Sequence, residues 1–175
     1  VRRFWNVISS CPVPVIAAVR GVALGGGCEL ALHADIIVAG ENARFAQPEV
    51  CVGVMPGGGG TQRLVRAIGK YQTMKLVLTG EPISGRDAFT MGLASEGVPD
   101  DAVLDRALEM ARKIASLPPI SIRLTKEVTL AGADAALDTG LLMERRLFEM
   151  MFATADQKEG MNAFIEKRKP DFAGR

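Results

Sequence analysis

The sequence predicts an α/β fold followed by a helical C-terminal region, and three observations predict it. Two short apolar runs, at residues 13–19 and 35–39, are rich in valine and isoleucine and read as buried strands. The segment between them, residues 26–34, suits a helix, so strand, helix and strand follow at the spacing of a parallel crossover unit. Beyond about residue 100 the apolar residues recur at helical spacing.

Taken in order, Val1-Arg2-Arg3-Phe4-Trp5 reads as the interior of a helix, so either processing or cloning has removed residues or the natural chain is longer. The first strand stands behind Pro12 and Pro14, and residues 21–27 read as a glycine-broken turn. The second strand ends at the turn signal Gly40-Glu41-Asn42, and residues 43–46 suit a further short strand. Thr61, after four glycines, is a plausible N-cap for a helix through Ile68, which Gly69 ends. Residues 70–78 look helical. Ser84-Gly85-Arg86-Asp87 opens another helix with a cap-like serine and an acid three residues on. Residues 93–98 are a weaker strand candidate. Val103, Ala107, Ala111 and Ile114 then share one helix face, and Leu104, Leu108 and Ala115 another. Pro118-Pro119 starts a helix at about Ile120. A long helix is expected over 134–154, with Leu137, Leu141, Phe148 and Phe152 on one side, and a last one over 156–169.

Bulk composition narrows the function classes. At 175 residues the chain can bury a real core, and 48% hydrophobic with 23% charged residues is ordinary for a globular protein. A net charge of +1 makes no basic field, so nucleic acid is not expected as a partner. No apolar run approaches the roughly 20 residues that span a bilayer, so no membrane role is expected. Cys11, Cys28 and Cys51 lack metal-ligand spacing and read as buried, reduced thiols of a reducing compartment.

Glu29 and Glu49 are the informative pair. Each sits beside a glycine- or proline-marked turn in an apolar stretch, where a carboxylate is costly unless hydrogen-bonded or used. Gly25-Gly26-Gly27 precedes a helix whose first amides suit an oxygen gaining negative charge. It also fits a plain tight turn. Glu29 could simply offset the helix dipole, and Glu49 could be a surface turn acid. Jointly, the glycine turn and two carboxylates at one end of a parallel sheet suggest acid/base chemistry on a carbonyl compound. Dinucleotide binding is disfavoured because Leu30 stands where the glycine pattern needs glycine, and Gly57-Gly58-Gly59-Gly60 lacks the ending of a phosphate loop. His33, the one histidine, can share a helix face with Glu29; it reads as a packed or surface residue rather than a catalyst. There is no Gly-x-Ser-x-Gly elbow. Lys167-Arg168-Lys169 reads as a solvated helix end that could also touch phosphates.

These motifs together resemble the crotonase superfamily, specifically its enoyl-CoA hydratases. The resemblance is carried by residues 14–30, by Asp35-Ile36-Ile37-Val38-Ala39 and by Phe45-Ala46-Gln47-Pro48-Glu49, then by residues 53–64, Leu78-Thr79-Gly80 and Glu159-Gly160-Met161-Asn162-Ala163-Phe164. It implies a ββα spiral core over residues 1–100, with its earliest strands missing, and a helical trimerisation region over 101–175. It implies an acyl-CoA substrate, a homo-trimer or hexamer, and no cofactor, since coenzyme A is part of the substrate. Bacterial cytoplasm or the mitochondrial matrix would be the setting, and fatty acid β-oxidation one pathway. Glu29 and Glu49 would be the catalytic carboxylates and the Gly26 amide one oxyanion-hole donor. Gly25, Gly57, Phe148 and Lys167 would contact substrate. The alternatives are an enoyl-CoA isomerase or another acyl-CoA enzyme of the superfamily and, in a different class, a non-catalytic oligomeric or RNA-binding module. Members of the superfamily carry an N-terminal region, absent from this sequence, that supplies the second oxyanion donor and part of the CoA site. The 175-residue chain by itself is therefore expected to hydrate 2-enoyl-CoA weakly or not at all; full turnover in a coupled assay would contradict this.

Overall fold

The computed structural model describes residues 2–175, and the side chains of all of these except Arg2, Arg3 and Asn6. Val1, the start of the expected N-terminal helix, lies outside the described residues; α1 runs over Arg2–Ser9. The chain divides into two compact units, residues 1–11 with 15–109, and residues 12–14 with 110–175.

In the first unit, two successive strand pairs each send one strand into each of two sheets. β1 (Ile16–Val19) pairs in parallel with β3 (Ile36–Gly40), which pairs in parallel with β6 (Glu96–Val98). β2 (Val22–Leu24) pairs in parallel with β4 (Arg44–Ala46), and β4 pairs antiparallel with β5 (Ile83–Ser84). The parallel crossover expected between the first two apolar runs is thus present. β2 corrects the sequence reading: residues 22–24 belong to a strand, not to the glycine-broken turn. A three-residue strand with alternating burial carries too little periodic signal to stand out between Gly21 and Gly25. Asp35 sets the register of β1 on β3. Its Oδ2 accepts from the Val15 amide at 2.7 Å, and its own amide donates to the Val15 carbonyl at 2.9 Å.

Helices follow each strand pair. α2 (Gly26–Leu32) follows β2; a 3₁₀ turn over Pro48–Val52 and then α3 (Gly60–Thr79) follow β4. α3 begins at Gly60 with Gly59 as its N-cap, so Thr61 lies inside the helix and is not the cap. Gly69, at φ 74°, breaks α3 into two segments where the sequence places a helix end. α4 (Gly85–Thr90) starts on the expected capping box: Ser84 Oγ accepts from the Asp87 amide at 3.0 Å, and the Asp87 carboxylate accepts from the Ser84 amide. The core under these elements holds Phe45, Leu64, Leu76, Val38 and Ala88, all 1% exposed or less. Burying each large side chain among these stabilises the unit by about 1.5–3 kcal/mol. α5 (Val103–Ala115) buries Val103 and Ala107 and leaves Leu104 and Leu108 largely exposed, so the first of the two expected faces is the inner one over its first two residues, while Ala111 farther along is exposed.

The second unit contains α6 (Pro119–Ala133), α7 (Leu137–Met151) and α8 (Ala155–Ile165). α6 and α7 approach closely at a glycine pair: a Cβ on Gly140 would lie 3.4 Å from the Gly132 Cα. The long helix expected over 134–154 is shorter at both ends. The last helix also stops early, and Lys167 takes a left-handed φ of 54° beyond it. The basic run stands at that helix end: the Lys167 amide donates to the Phe164 carbonyl at 3.3 Å and the Arg168 amide to the Ala163 carbonyl at 3.0 Å. Arg168 in it pairs with Glu159 and Glu166, and with the Asp171 amide it lowers the Glu159 carboxyl to about 2. Buried Asp156 accepts from the amides of Ala173 and Gly174, tying the C-terminal tail to the start of α8. Leu137, Phe148, Phe164 and Ile165 remain more than half exposed. Among the described residues no helix is long and apolar enough to cross a membrane.

The capping box yields a stability test. Ser84→Ala removes one side of it and is expected to destabilise the chain by about 1 kcal/mol, read as a lower urea midpoint at unchanged slope.

Candidate active site

The site is assembled from three turns of the first unit. The first is Gly25, which takes φ 53° and ψ −124°, open to glycine and strained for other residues. Its amide donates to the Ala46 carbonyl at 2.9 Å, so β4 holds the turn. Gly26 opens α2, is exposed, and would meet nothing within 4 Å if it carried a Cβ. The first amides of a helix have no partner inside it, so that of Gly26 is available to an acceptor.

Glu29 lies one turn into α2 and is only 4% exposed. It does not offset the dipole at the surface. Its Oε1 accepts from the Gly58 amide at 2.7 Å and from the Gly60 amide at 2.9 Å. A buried carboxylate is costly, and two charge-assisted bonds from main-chain donors offset that cost. The second glycine turn is thus built around the acid. A Cβ on Gly58 would stand 2.6 Å from Glu29 Oε2 and 2.9 Å from Trp5 Cε2, and one on Gly60 would stand 3.1 Å from Glu29 Oε1.

Glu49 sits in the 3₁₀ turn, half-buried, with its Oε2 inaccessible and without a partner. Its Oε1 faces the Gly25 turn, 3.3 Å from where a Cβ would be. Gln47, fully buried, lies between the turns; its Nε2 donates to the Gly25 carbonyl at 3.4 Å, and its amide group also bonds the Cys28 thiol. Burial pushes that thiol up to about 11; the Gln47 bond acts the other way, and the charges of Glu29 and Glu49 add to the rise. Of the three thiols expected to be buried, Cys28 is, Cys11 is partly exposed and Cys51 is exposed. Glu49 faces the Gly25 turn, and Glu29 stands on the helix that this turn opens at Gly26.

The remaining residues singled out by the sequence are placed as follows. Gly57 is exposed, with no atom within 4 Å of a would-be Cβ. Phe148 and Lys167 belong to the second unit; Phe148 packs edge-on against Phe152, their centroids 5.2 Å apart. His33 is buried at 5% exposure and bonds Gly58. Gln47, Gly58 and Gly60 went unread as site residues. An unbroken run of glycines does not say which of them faces a carboxylate from elsewhere in the chain. Among the described residues no group of three or more His, Cys, Asp or Glu side chains is placed to hold a metal ion.

An α/β spiral that sets two acids around a glycine turn at the head of a helix defines the class, and comparison with known proteins identifies the family. Residues 1–175 match the family model described as enoyl-CoA hydratase/isomerase, and the chain belongs to that family. It is 47% identical over 173 residues to the 2,3-dehydroadipyl-CoA hydratase of Escherichia coli K12, covering 99% of this chain and 68% of that protein. It is 49% identical over 170 residues to the mitochondrial enoyl-CoA hydratase of Pongo abelii, covering 97% of this chain and 59% of that one. The crystal structure of enoyl-CoA hydratase from Bacillus anthracis superposes with a TM-score of 0.97 at 42% identity, covering 99% of this chain and 67% of that chain. The fold is therefore the crotonase fold, and the chain spans about 60–70% of the length of these relatives.

The glycine at 58 can be tested directly. Gly58→Ala is expected to displace Glu29 or Trp5 and to cost about 1–3 kcal/mol in urea unfolding, as overpacked sites do.

Proposed function

We propose that this chain is the acid-bearing part of an enoyl-CoA hydratase, adding water across the 2,3 double bond of a 2-enoyl-CoA to give a 3-hydroxyacyl-CoA. One observation carries the reading: Glu49 Oε1 faces the Gly25 turn, and Glu29, held by the Gly58 and Gly60 amides, stands on the helix that this turn opens at Gly26. The matched relatives named as hydratases support it.

Glu29 takes a proton from a water held between the two acids, and the water oxygen bonds to C3. The π electrons move through C2 to the thioester oxygen, where the Gly26 amide meets the growing charge. One such donor contributes about 3 kcal/mol to the transition state. Glu49 delivers a proton to C2, and exchange with solvent resets both carboxyls. Clamped by two amides, Glu29 stays in place as charge moves, which suits the residue that orients the water. Gly25 and Gly57 line the approach of the thioester. No cofactor is required, because coenzyme A arrives with the substrate. The exposed apolar residues of α7 and α8 support assembly as a homo-trimer or hexamer. The setting is bacterial cytoplasm or mitochondrial matrix.

The test uses a chimera in which this chain replaces the matching part of the Bacillus anthracis enzyme. Loss of crotonyl-CoA absorbance is followed, with a 3-enoyl-CoA substrate and an RNA-binding assay alongside. Glu29→Gln and Glu49→Gln are each expected to lower kcat by about 10²–10⁴-fold with little change in KM. Hydration that survives both substitutions, or activity on 3-enoyl-CoA alone, would refute the assignment.

A further inference from the structure

We propose that His33 is a positioning residue for Glu29, acting through the Gly58 to Gly60 turn. The inference rests on the reading of Glu29 as the base. His33 caps the C-terminus of α2, one helical turn after Glu29, so both side chains leave the helix toward the same turn. Its Nε2 lies 2.8 Å from the Gly58 carbonyl oxygen. A carbonyl can only accept, so Nε2 carries the proton and donates. Gly58 is therefore held from both sides: its amide donates to Glu29 Oε1, and its carbonyl accepts from His33. Gly59 passes the same ring, with a would-be Cβ 3.6 Å from Nε2, and Gly60 returns to Glu29 through its amide.

The ring is itself fixed. Trp5 stacks on it with centroids 5.3 Å apart and planes 17° from parallel. Among the described residues His33 Nδ1 is buried without a partner, and the one hydrogen bond of this imidazole is to the turn. A buried ring that leaves one nitrogen unsatisfied while spending the other on a glycine carbonyl is poorly explained as packing alone. Gly59, with φ 113°, gives this turn no side chain of its own to hold it. One turn of α2 thus grips a three-glycine segment by two amides and a carbonyl. If the carbonyl is released, the turn can rotate and withdraw its amides from Glu29. The acid then loses the two bonds that fix it.

Amide hydrogen exchange on the ¹⁵N-labelled 175-residue chain tests this at residues 58 and 60. His33→Met fills the volume without a donor, and His33→Gln places a donor near the position of Nε2. His33→Met is expected to speed exchange at Gly58 and Gly60 about tenfold or more, leaving the later turns of α3 protected, while His33→Gln returns both to within about twofold. Should His33→Met fail to fold, His33→Asn replaces it, since its amide is too short to reach the Gly58 carbonyl. Unchanged exchange at both glycines, a general loss of protection through α2 and α3, or failure of His33→Gln to recover them would each overturn the proposal. The readout needs no substrate, so its failure is distinguishable from failure of the hydratase reading.

Discussion

The bonds from the Gly58 and Gly60 amides to Glu29 Oε1 are the constraint on which the first unit's architecture turns. A carboxylate at 4% exposure needs donors, and donors from the main chain need a backbone that approaches very closely. That requirement explains the glycine at 58, where any Cβ would collide with the acid it serves. It also explains why α3 starts at Gly60 and not at Thr61. The helix begins where its first amide is taken by Glu29, so no side-chain cap is required.

A second consequence is the coupling of the two acids. Glu49 rides on a 3₁₀ turn that follows β4, and β4 pairs with β2, the strand that leads into the Gly25 turn. Gln47 then ties the Glu49 turn back to the Gly25 carbonyl and to Cys28. The parallel register of β2 on β4 is therefore what brings the carboxylates toward one another. A slip of one residue would turn Phe45 out of the core and Glu49 away from Gly25. The acids are held by sheet pairing, and their loops need little rigidity of their own.

The apolar faces of α7 and α8 belong to a different balance. Leu137, Phe148, Phe164 and Ile165 are large and more than half exposed, although the first unit buries Phe45, Leu64 and Leu76 and also leaves Val52, Met55 and Tyr71 exposed. Residues of this kind on helices suit contact with another surface better than contact with water. The tail is treated differently: buried Asp156 and the Glu159 pair with Arg168 draw it back against α8.

What the sequence determined by itself was local. The strands at β1 and β3, the serine cap of α4 and the break at Gly69 follow from valine and isoleucine content, a Ser-x-x-Asp spacing and a single glycine. Glu29 and Glu49 were legible because acids in apolar stretches are costly and therefore conspicuous. β2 was not legible, since three residues cannot display a period. Tertiary structure alone decided that Glu29 spends its Oε1 on residues 29 and 31 positions away, that Gln47 joins the two turns, and that His33 grips Gly58. Hydrogen bonds of that sequence separation leave no pattern in a single chain. They arise only when sheet pairing brings one glycine turn against the helix that follows another.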